Sequence, residues 1–147
     1  MSNPILIVCG SRRWADYPRL ACTLDNLCQL AGEPYAACWC GGAAGASAMA
    51  ETWAVNRWRP LPVRRWPANW RRYGRGAGIR RSAEMIGAAP EGSVLAAFVP
   101  HRLADSVGTA HEVRLARRRE LAVVVVDCCG LQVLPADPLL PEMEALL

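Results

Sequence analysis

Apolar runs of strand length alternate with segments of helical period along most of this chain, and this order constrains the fold more than any other feature. The strand-like runs cover residues 4–9, 35–40, 61–66, 93–99 and 121–126. The helix-like segments between them cover residues 17–31, 46–55, 79–87 and 109–119. Strict alternation of this kind predicts a single α/β domain, with a mostly parallel sheet of about five strands and helices on both faces.

The composition fits one globular domain. Of the 147 residues, 52% are hydrophobic and 20% are charged, which is typical of a folded chain and not of a disordered one. We place the domain at residues 1–127 and treat residues 128–147, which contain three prolines, as a C-terminal tail that docks or hangs free. No apolar run reaches the roughly 20 residues that span a bilayer. No basic segment precedes the first strand, so we expect a cytoplasmic protein without a membrane contact.

The seven cysteines do not form a recognisable metal motif. The chain has no C-x-x-C pair and only two histidines, so the usual zinc spacings are missing. We therefore predict buried thiols, no metal and no cofactor.

Glycine-rich turns follow three of the predicted strands. Gly10 follows the first strand, Gly41 and Gly42 follow the second, and Gly108 follows the fourth. In a parallel sheet these turns meet at the carboxyl edge, where α/β proteins bind ligands. The turn 41–45 ends in Gly45 and opens a helix whose first amides have no intrahelical partner, which suits a phosphate. Close packing of helix against strand explains such glycines equally well.

Two other helix starts carry candidate functional groups. Gly108 and Thr109 open the helix after the fourth strand, and Glu112 lies one turn further on, either as a capping partner or as a ligand-binding group. Arg80 and Arg81 stand near the start of the preceding helix, where positive charge opposes the helix dipole. That mismatch favours a role in binding an anion.

The segment 53–81 concentrates arginine and tryptophan. From Thr52 to Ala83 there are nine Arg and four Trp but no Asp or Glu, in a chain of net charge +4. Guanidinium groups bind phosphate through a planar fork. Binding of single-stranded nucleic acid is therefore an alternative function, and a surface for a protein partner built from exposed Trp is another.

These motifs resemble, in order, the YspA/YpsA-related branch of the SLOG superfamily. The resemblance is carried by Gly10-Ser11-Arg12, Gly41-Gly42-x-x-Gly45, Pro67-Ala68-x-Trp70, Tyr73-Gly74-Arg75-x-Ala77-Gly78, Arg81 with Met85, and Gly108-Thr109. It implies a Rossmann-like fold and a pocket for a nucleotide or nucleotide-derived ligand. The chain departs from the branch at Ser47, where Asp is usual, at Ser82, where Asn is frequent, and at residues 105–107, where Pro-Gly-Gly is usual.

A neighbouring family adds an enzymatic alternative. Arg81-Ser82-Ala83-Glu84-Met85 and Gly108-Thr109-Ala110-His111-Glu112 are similar to motifs of the LOG phosphoribohydrolases, without their Lys and two leading glycines. That resemblance implies that Arg81 and Glu112 cleave the N-glycosidic bond of a nucleoside 5'-monophosphate. A carboxylate can stabilise an oxocarbenium-like ribose while an arginine holds phosphate.

The sequence thus predicts a ligand-sensing domain that binds a nucleotide-derived small molecule, and a homodimer. The predicted ligand-binding residues are Gly10, Ser11, Arg12, Gly41, Gly42, Gly45, Trp70, Tyr73, Arg75, Arg81, Gly108 and Thr109. In the alternative enzyme, Arg81 and Glu112 are catalytic. Trp70 and Tyr73 are predicted either to stack on a base or to pack in the core.

Overall fold

A computed structural model describes residues 3–134 as a six-stranded sheet between two layers of helices. The strands are β1 (Leu6–Gly10), β2 (Cys38–Cys40), β3 (Val63–Arg65), β4 (Val94–Phe98), β5 (Ala122–Asp127) and β6 (Gly130–Leu134). The helices are α1 (Tyr17–Leu30), α2 (Ala46–Asn56), α3 (Trp70–Tyr73), α4 (Ala77–Ala88) and α5 (Val107–Arg118). Short 3-10 turns cover Gly74–Gly76 and Leu103–Asp105.

The sheet has the order β3-β2-β1-β4-β5-β6. Its first five strands are parallel, and β6 pairs antiparallel with β5. The prediction of a single α/β domain with a mostly parallel sheet and a Rossmann-like architecture is therefore confirmed. The order of the strands reverses beside β1, because α4 carries the chain from β3, on one side of β1, to β4 on the other.

Each face of the sheet has its own apolar core, as the alternation of side chains along a strand requires. On one face, Leu20 and Leu24 of α1 and Ala50 of α2 pack against the sheet. On the other face, Met85 of α4 and Val113 of α5 do the same. All five residues of β4 are buried, as expected for a central strand covered on both sides.

The two ends of the sheet differ from the sequence-based description. The third strand has three residues where a run of six was predicted, and it forms one edge of the sheet, next to Pro62. The sixth strand, β6, extends the sheet into the segment that the sequence predicts to be a C-terminal tail. Residues 135–147, the rest of that segment, lie outside the described residues.

Part of the predicted loop 66–78 is helical. Asn69 Oδ1 accepts a hydrogen bond from Arg72 N at 3.1 Å and caps α3, a single turn that leads through the 3-10 turn into α4. Among residues 3–134, no helix is both long and apolar enough to cross a lipid bilayer.

Candidate functional site

The turn after β1 is tied to both of its neighbours by backbone hydrogen bonds. Ser11 N donates to Phe98 O at 2.9 Å, and Ala46 N at the start of α2 donates to Ser11 O at 3.1 Å. A Cβ atom on Gly10 would lie 2.9 Å from Phe98 N, and one on Gly45 would lie 2.5 Å from the carbonyl group of Arg12. These two glycines therefore allow close packing of backbone on backbone, which is one of the two explanations that the sequence left open.

The third predicted glycine, Gly41, lies against an arginine side chain. Arg81 reaches from α4 to the end of β2, where a Cβ atom on Gly41 would lie 2.8 Å from Arg81 Cζ. Arg81 Nη1 donates to Gly41 O at 3.3 Å and to Trp66 O at 3.2 Å. The guanidinium group therefore covers the glycine turn and holds together the segments that follow β2 and β3.

Glu112 of α5 faces Arg81 across this site. Its Oε1 lies 3.8 Å from Arg81 Nη2 and 2.9 Å from the hydroxyl of Ser82, which also lies 3.0 Å from Gly78 O. A serine hydroxyl carries one proton, so Ser82 can donate to only one of these two acceptors at a time. The structure thus brings together Arg81 and Glu112, the two residues that the resemblance pairs.

Both members of this pair keep an unpartnered polar atom. Arg81 Nε and Glu112 Oε2 are buried and have no hydrogen-bond partner among residues 3–134. Buried polar atoms in native proteins nearly always form a hydrogen bond. An unpaired donor and an unpaired acceptor on neighbouring side chains are therefore typical of a site where a ligand supplies the missing hydrogen bonds.

Cys9, near the carboxyl end of β1, lies beneath the pair. Burial raises the pKa of its thiol well above the usual value, and the nearby Glu112 carboxylate raises it further. Cys9 is therefore a neutral apolar group that forms the floor of the site. The sequence did not point to this residue, because a cysteine inside an apolar strand is typical of ordinary core.

Two helix N-termini open toward the same edge of the sheet. In α2, the amide of Ala46 is used by Ser11 O, and Ser47 is the next residue whose amide lacks an intrahelical acceptor. In α5, the first intrahelical bond runs from Ala110 N to Ser106 O, so the amides of Gly108 and Thr109 precede the helical ladder. Gly108 is exposed, and Thr109 is buried.

The other predicted ligand residues make no hydrogen bond to Arg81 or Glu112 among the described residues. Ser11 is half-buried and Arg12 is exposed, as is Gly42 in the turn after β2. Trp70 is 55% exposed, and Arg75 is also exposed.

Tyr73 lies within a group of arginines. Its ring has the guanidinium carbons of Arg72 and Arg80 at 5.2 Å and 4.1 Å from its centroid. These contacts are cation–π interactions. An anionic ligand next to the ring could therefore also contact the two guanidinium groups.

Several arginines of the segment 53–81 have partners within the protein. Arg57 is buried and donates to both carboxylate oxygens of Glu33, at 2.6 Å and 2.8 Å. Arg65 forms a similar pair with Glu51, again at 2.6 Å and 2.8 Å. Arg64 lies over the ring of Trp66, 3.9 Å from its centroid. The charge of this segment is therefore partly used inside the fold.

Comparison with known proteins agrees with those sequence motifs that lie within residues 4–73. Residues 4–73 match the model of a family described as the YspA, cpYpsA-related SLOG family. The matched segment contains β1, β2, β3 and the glycine turns after β1 and β2. Comparison with curated proteins and with solved structures gave no match.

Proposed function

We propose that this chain is a member of the SLOG superfamily, whose YspA, cpYpsA-related family matches residues 4–73, and that it binds a nucleotide-derived ligand at the carboxyl edge of its sheet. The observation that carries this proposal is the pair formed by Arg81 and Glu112. Each keeps a buried polar atom that has no partner within residues 3–134, one a donor and the other an acceptor.

A nucleotide has groups that match both atoms. A phosphate oxygen can accept a hydrogen bond from Arg81, and a ribose hydroxyl can donate one to Glu112 Oε2. A simple anion such as sulfate would satisfy only the arginine and would be repelled by the carboxylate. The pair therefore favours a ligand that joins an anionic group to hydroxyl groups.

The surroundings add positive potential for the anionic part. The N-termini of α2 and α5 present amides near the turns at Gly42 and Gly108, and aligned helix dipoles attract anions there. Arg12 lies in the turn that follows β1, and Arg75 lies just before α4. Both side chains are exposed, and we assign them to the outer side of the same site. We assign base stacking to Trp70 or Tyr73.

The test is direct binding, with a matched pair of arginine variants. Small molecules released by denaturing the purified protein are identified by mass spectrometry, and AMP and the other nucleoside 5'-monophosphates are titrated by calorimetry. We expect Arg81→Ala to weaken binding at least about tenfold, as the loss of one charged hydrogen bond predicts. Arg118→Ala, an exposed arginine in the last turn of α5, should leave binding unchanged. Equal affinities of the two variants would contradict the proposal.

A second function, hydrolysis of nucleoside 5'-monophosphates, is favoured by the distance of 3.8 Å between Arg81 Nη2 and Glu112 Oε1. In that reaction water adds to the anomeric carbon of ribose, the N-glycosidic bond breaks, and the base leaves with a proton. Glu112 would stabilise the positive charge that develops on the ribose, and Arg81 would hold the phosphate. Release of free base that stops in Glu112→Gln would establish this function. Binding without release, unchanged in that variant, would exclude it.

Nucleic-acid binding by the segment 53–81 is the remaining alternative, and it predicts a different result. Affinity for a single-stranded oligonucleotide would fall steeply with salt, and it would be insensitive to Glu112→Gln. Because Arg57 and Arg65 are already paired with carboxylates, we favour the small ligand.

A further inference from the structure

The turn between β5 and β6 brings together three side chains of types that commonly bind metal ions. It lies at the edge of the sheet opposite β3. Asp127 ends β5, and Cys128 and Cys129 form the turn before Gly130 begins β6. The carboxylate oxygen and the two sulfur atoms all lie within 4.8 Å of one another. Both cysteines are exposed, so a metal ion can reach them from solvent.

We propose that Asp127, Cys128 and Cys129 form a binding site for a thiophilic divalent metal ion such as Zn²⁺. The site is independent of the proposed nucleotide site, since neither Arg81 nor Glu112 takes part in it. The sequence predicted no metal because it contains no C-x-x-C pair, and two adjacent cysteines do not form that motif.

The separation of the sulfur atoms supports the proposal. Zinc binds thiolate sulfur at about 2.3 Å, so two sulfurs on one tetrahedral ion lie about 3.8 Å apart. The two sulfur atoms here are 4.0 Å apart. A shift of only a few tenths of an ångström therefore brings both thiols to zinc geometry.

A disulfide between the same two residues is a poorer solution. Disulfides usually join Cα atoms that are at least about 4.4 Å apart, whereas neighbouring Cα atoms across a trans peptide lie about 3.8 Å apart. The sulfurs would also have to approach to about 2.05 Å, half of their present separation. The geometry of the turn therefore favours a bridging ion over a covalent bond.

The backbone keeps the third ligand in place. Asp127 Oδ1 accepts a hydrogen bond from Cys129 N at 2.8 Å, which closes the turn over the carboxylate. Asp127 itself is buried, and the pairing of Asp127 with Gly130 anchors the turn in the sheet. Three protein ligands on such a turn leave the fourth position of a tetrahedral ion to water, as in open zinc sites.

The experiment titrates reduced, untagged protein with Zn²⁺ and separately with Co²⁺, whose absorption reports thiolate ligands and tetrahedral geometry. We expect one ion per chain and a thiolate-to-cobalt charge-transfer band. Cys128→Ser and Cys129→Ser should each weaken Zn²⁺ binding about a hundredfold, since each removes one of three ligands. Cys22→Ser is the matched control, because Cys22 is also exposed but lies on α1, outside the group formed by Asp127, Cys128 and Cys129.

Asp127→Asn tests the carboxylate separately, because an asparagine keeps an oxygen that can accept from Cys129 N. We expect this variant to keep its circular-dichroism spectrum and to lose at least about tenfold in Zn²⁺ affinity. The proposal is overturned if the wild type binds no stoichiometric Zn²⁺ or Co²⁺. It is equally overturned if Cys22→Ser loses as much affinity as Cys128→Ser, or if oxidation by dissolved oxygen in the presence of excess Zn²⁺ joins Cys128 to Cys129 in a disulfide.

Discussion

Substitution of Gly41 by alanine would displace Arg81 without removing any charge. Gly41 does not have a positive φ, so alanine fits the backbone conformation there. The added Cβ atom would overlap the guanidinium group, and Arg81 would have to leave its two carbonyl acceptors. The variant therefore tests whether the position of the guanidinium group matters, while its charge is kept.

The cost follows from the two hydrogen bonds. A hydrogen bond from a charged donor contributes about 1.5–3 kcal/mol, and distances of 3.2 Å and 3.3 Å place both at the weak end of that range. The Arg81 side chain is 19% exposed, so after displacement it can regain part of its hydration. We expect a net loss of about 2 kcal/mol, which lowers Tm by about 4–8 °C in a domain of this size.

The assay compares Gly41→Ala with Gly87→Ala by urea unfolding and by calorimetric titration with AMP. Gly87 is the matched control, because it is exposed near the end of α4, its φ is not positive, and an added Cβ atom would lie 3.9 Å from Arg119 Nη1, an ordinary contact distance. We expect Gly87→Ala to keep wild-type stability or to gain up to about 1 kcal/mol, and we expect only Gly41→Ala to lose AMP affinity, about tenfold. If Gly41→Ala is as stable as the control and binds AMP like the wild type, the assignment of Arg81 is wrong.

Three further predictions concern buried charges and thiols. Arg57→Ala should cost about 3–5 kcal/mol, because it leaves the largely buried Glu33 carboxylate without its partner, whereas the exposed Arg59→Ala should cost little in the same urea experiment. The hydrogen bond from Arg65 holds the pKa of Glu51 below its usual value of 4.5, so this pair stabilises the fold above that pH and stops doing so as pH falls through the lowered pKa. The difference in urea midpoint between wild type and Glu51→Gln should therefore be largest above pH 4.5 and should shrink as the pH falls below that value. Rapid alkylation of the native protein after removal of metal with a chelator, counted by intact mass, should modify three of the seven thiols and spare the buried ones, whose pKa values burial raises. The spared thiols are Cys9, Cys28, Cys38 and Cys40. Modification of all seven at one rate would contradict this burial.

Local sequence patterns were sufficient to predict most strands of the sheet. The valine run of β5 was predictable because β-branched residues favour a strand that is covered on both faces. The last strand, β6, was not predictable, since its five residues mix Gly, Leu and Gln and its pairing with β5 depends on the tight turn at Cys128 and Cys129. The third strand was predicted too long, because Leu61 looks like a strand residue but packs in the core before the strand begins.

The site was only partly predictable for the same kind of reason. An arginine near a helix start opposes the dipole, and this local mismatch pointed to Arg81. That Cys9 and Glu112 lie together depends on how α5 packs against β1, and no local pattern contains that information. The role of the glycines was difficult to predict for another reason. A glycine leaves room for a ligand or for a neighbouring backbone segment, and at Gly10 that room is taken by backbone.

The short basic edge formed by β3 restricts how two copies of this chain could associate. Only three residues there offer unpaired backbone groups, Pro62 precedes them, and the side chains of Arg64 and Arg65 project beside them. Pairing the β3 edges of two molecules would bring arginine side chains close together and would add very few hydrogen bonds. We therefore expect this edge to disfavour both a homodimer formed through it and growth of the sheet from molecule to molecule on this side.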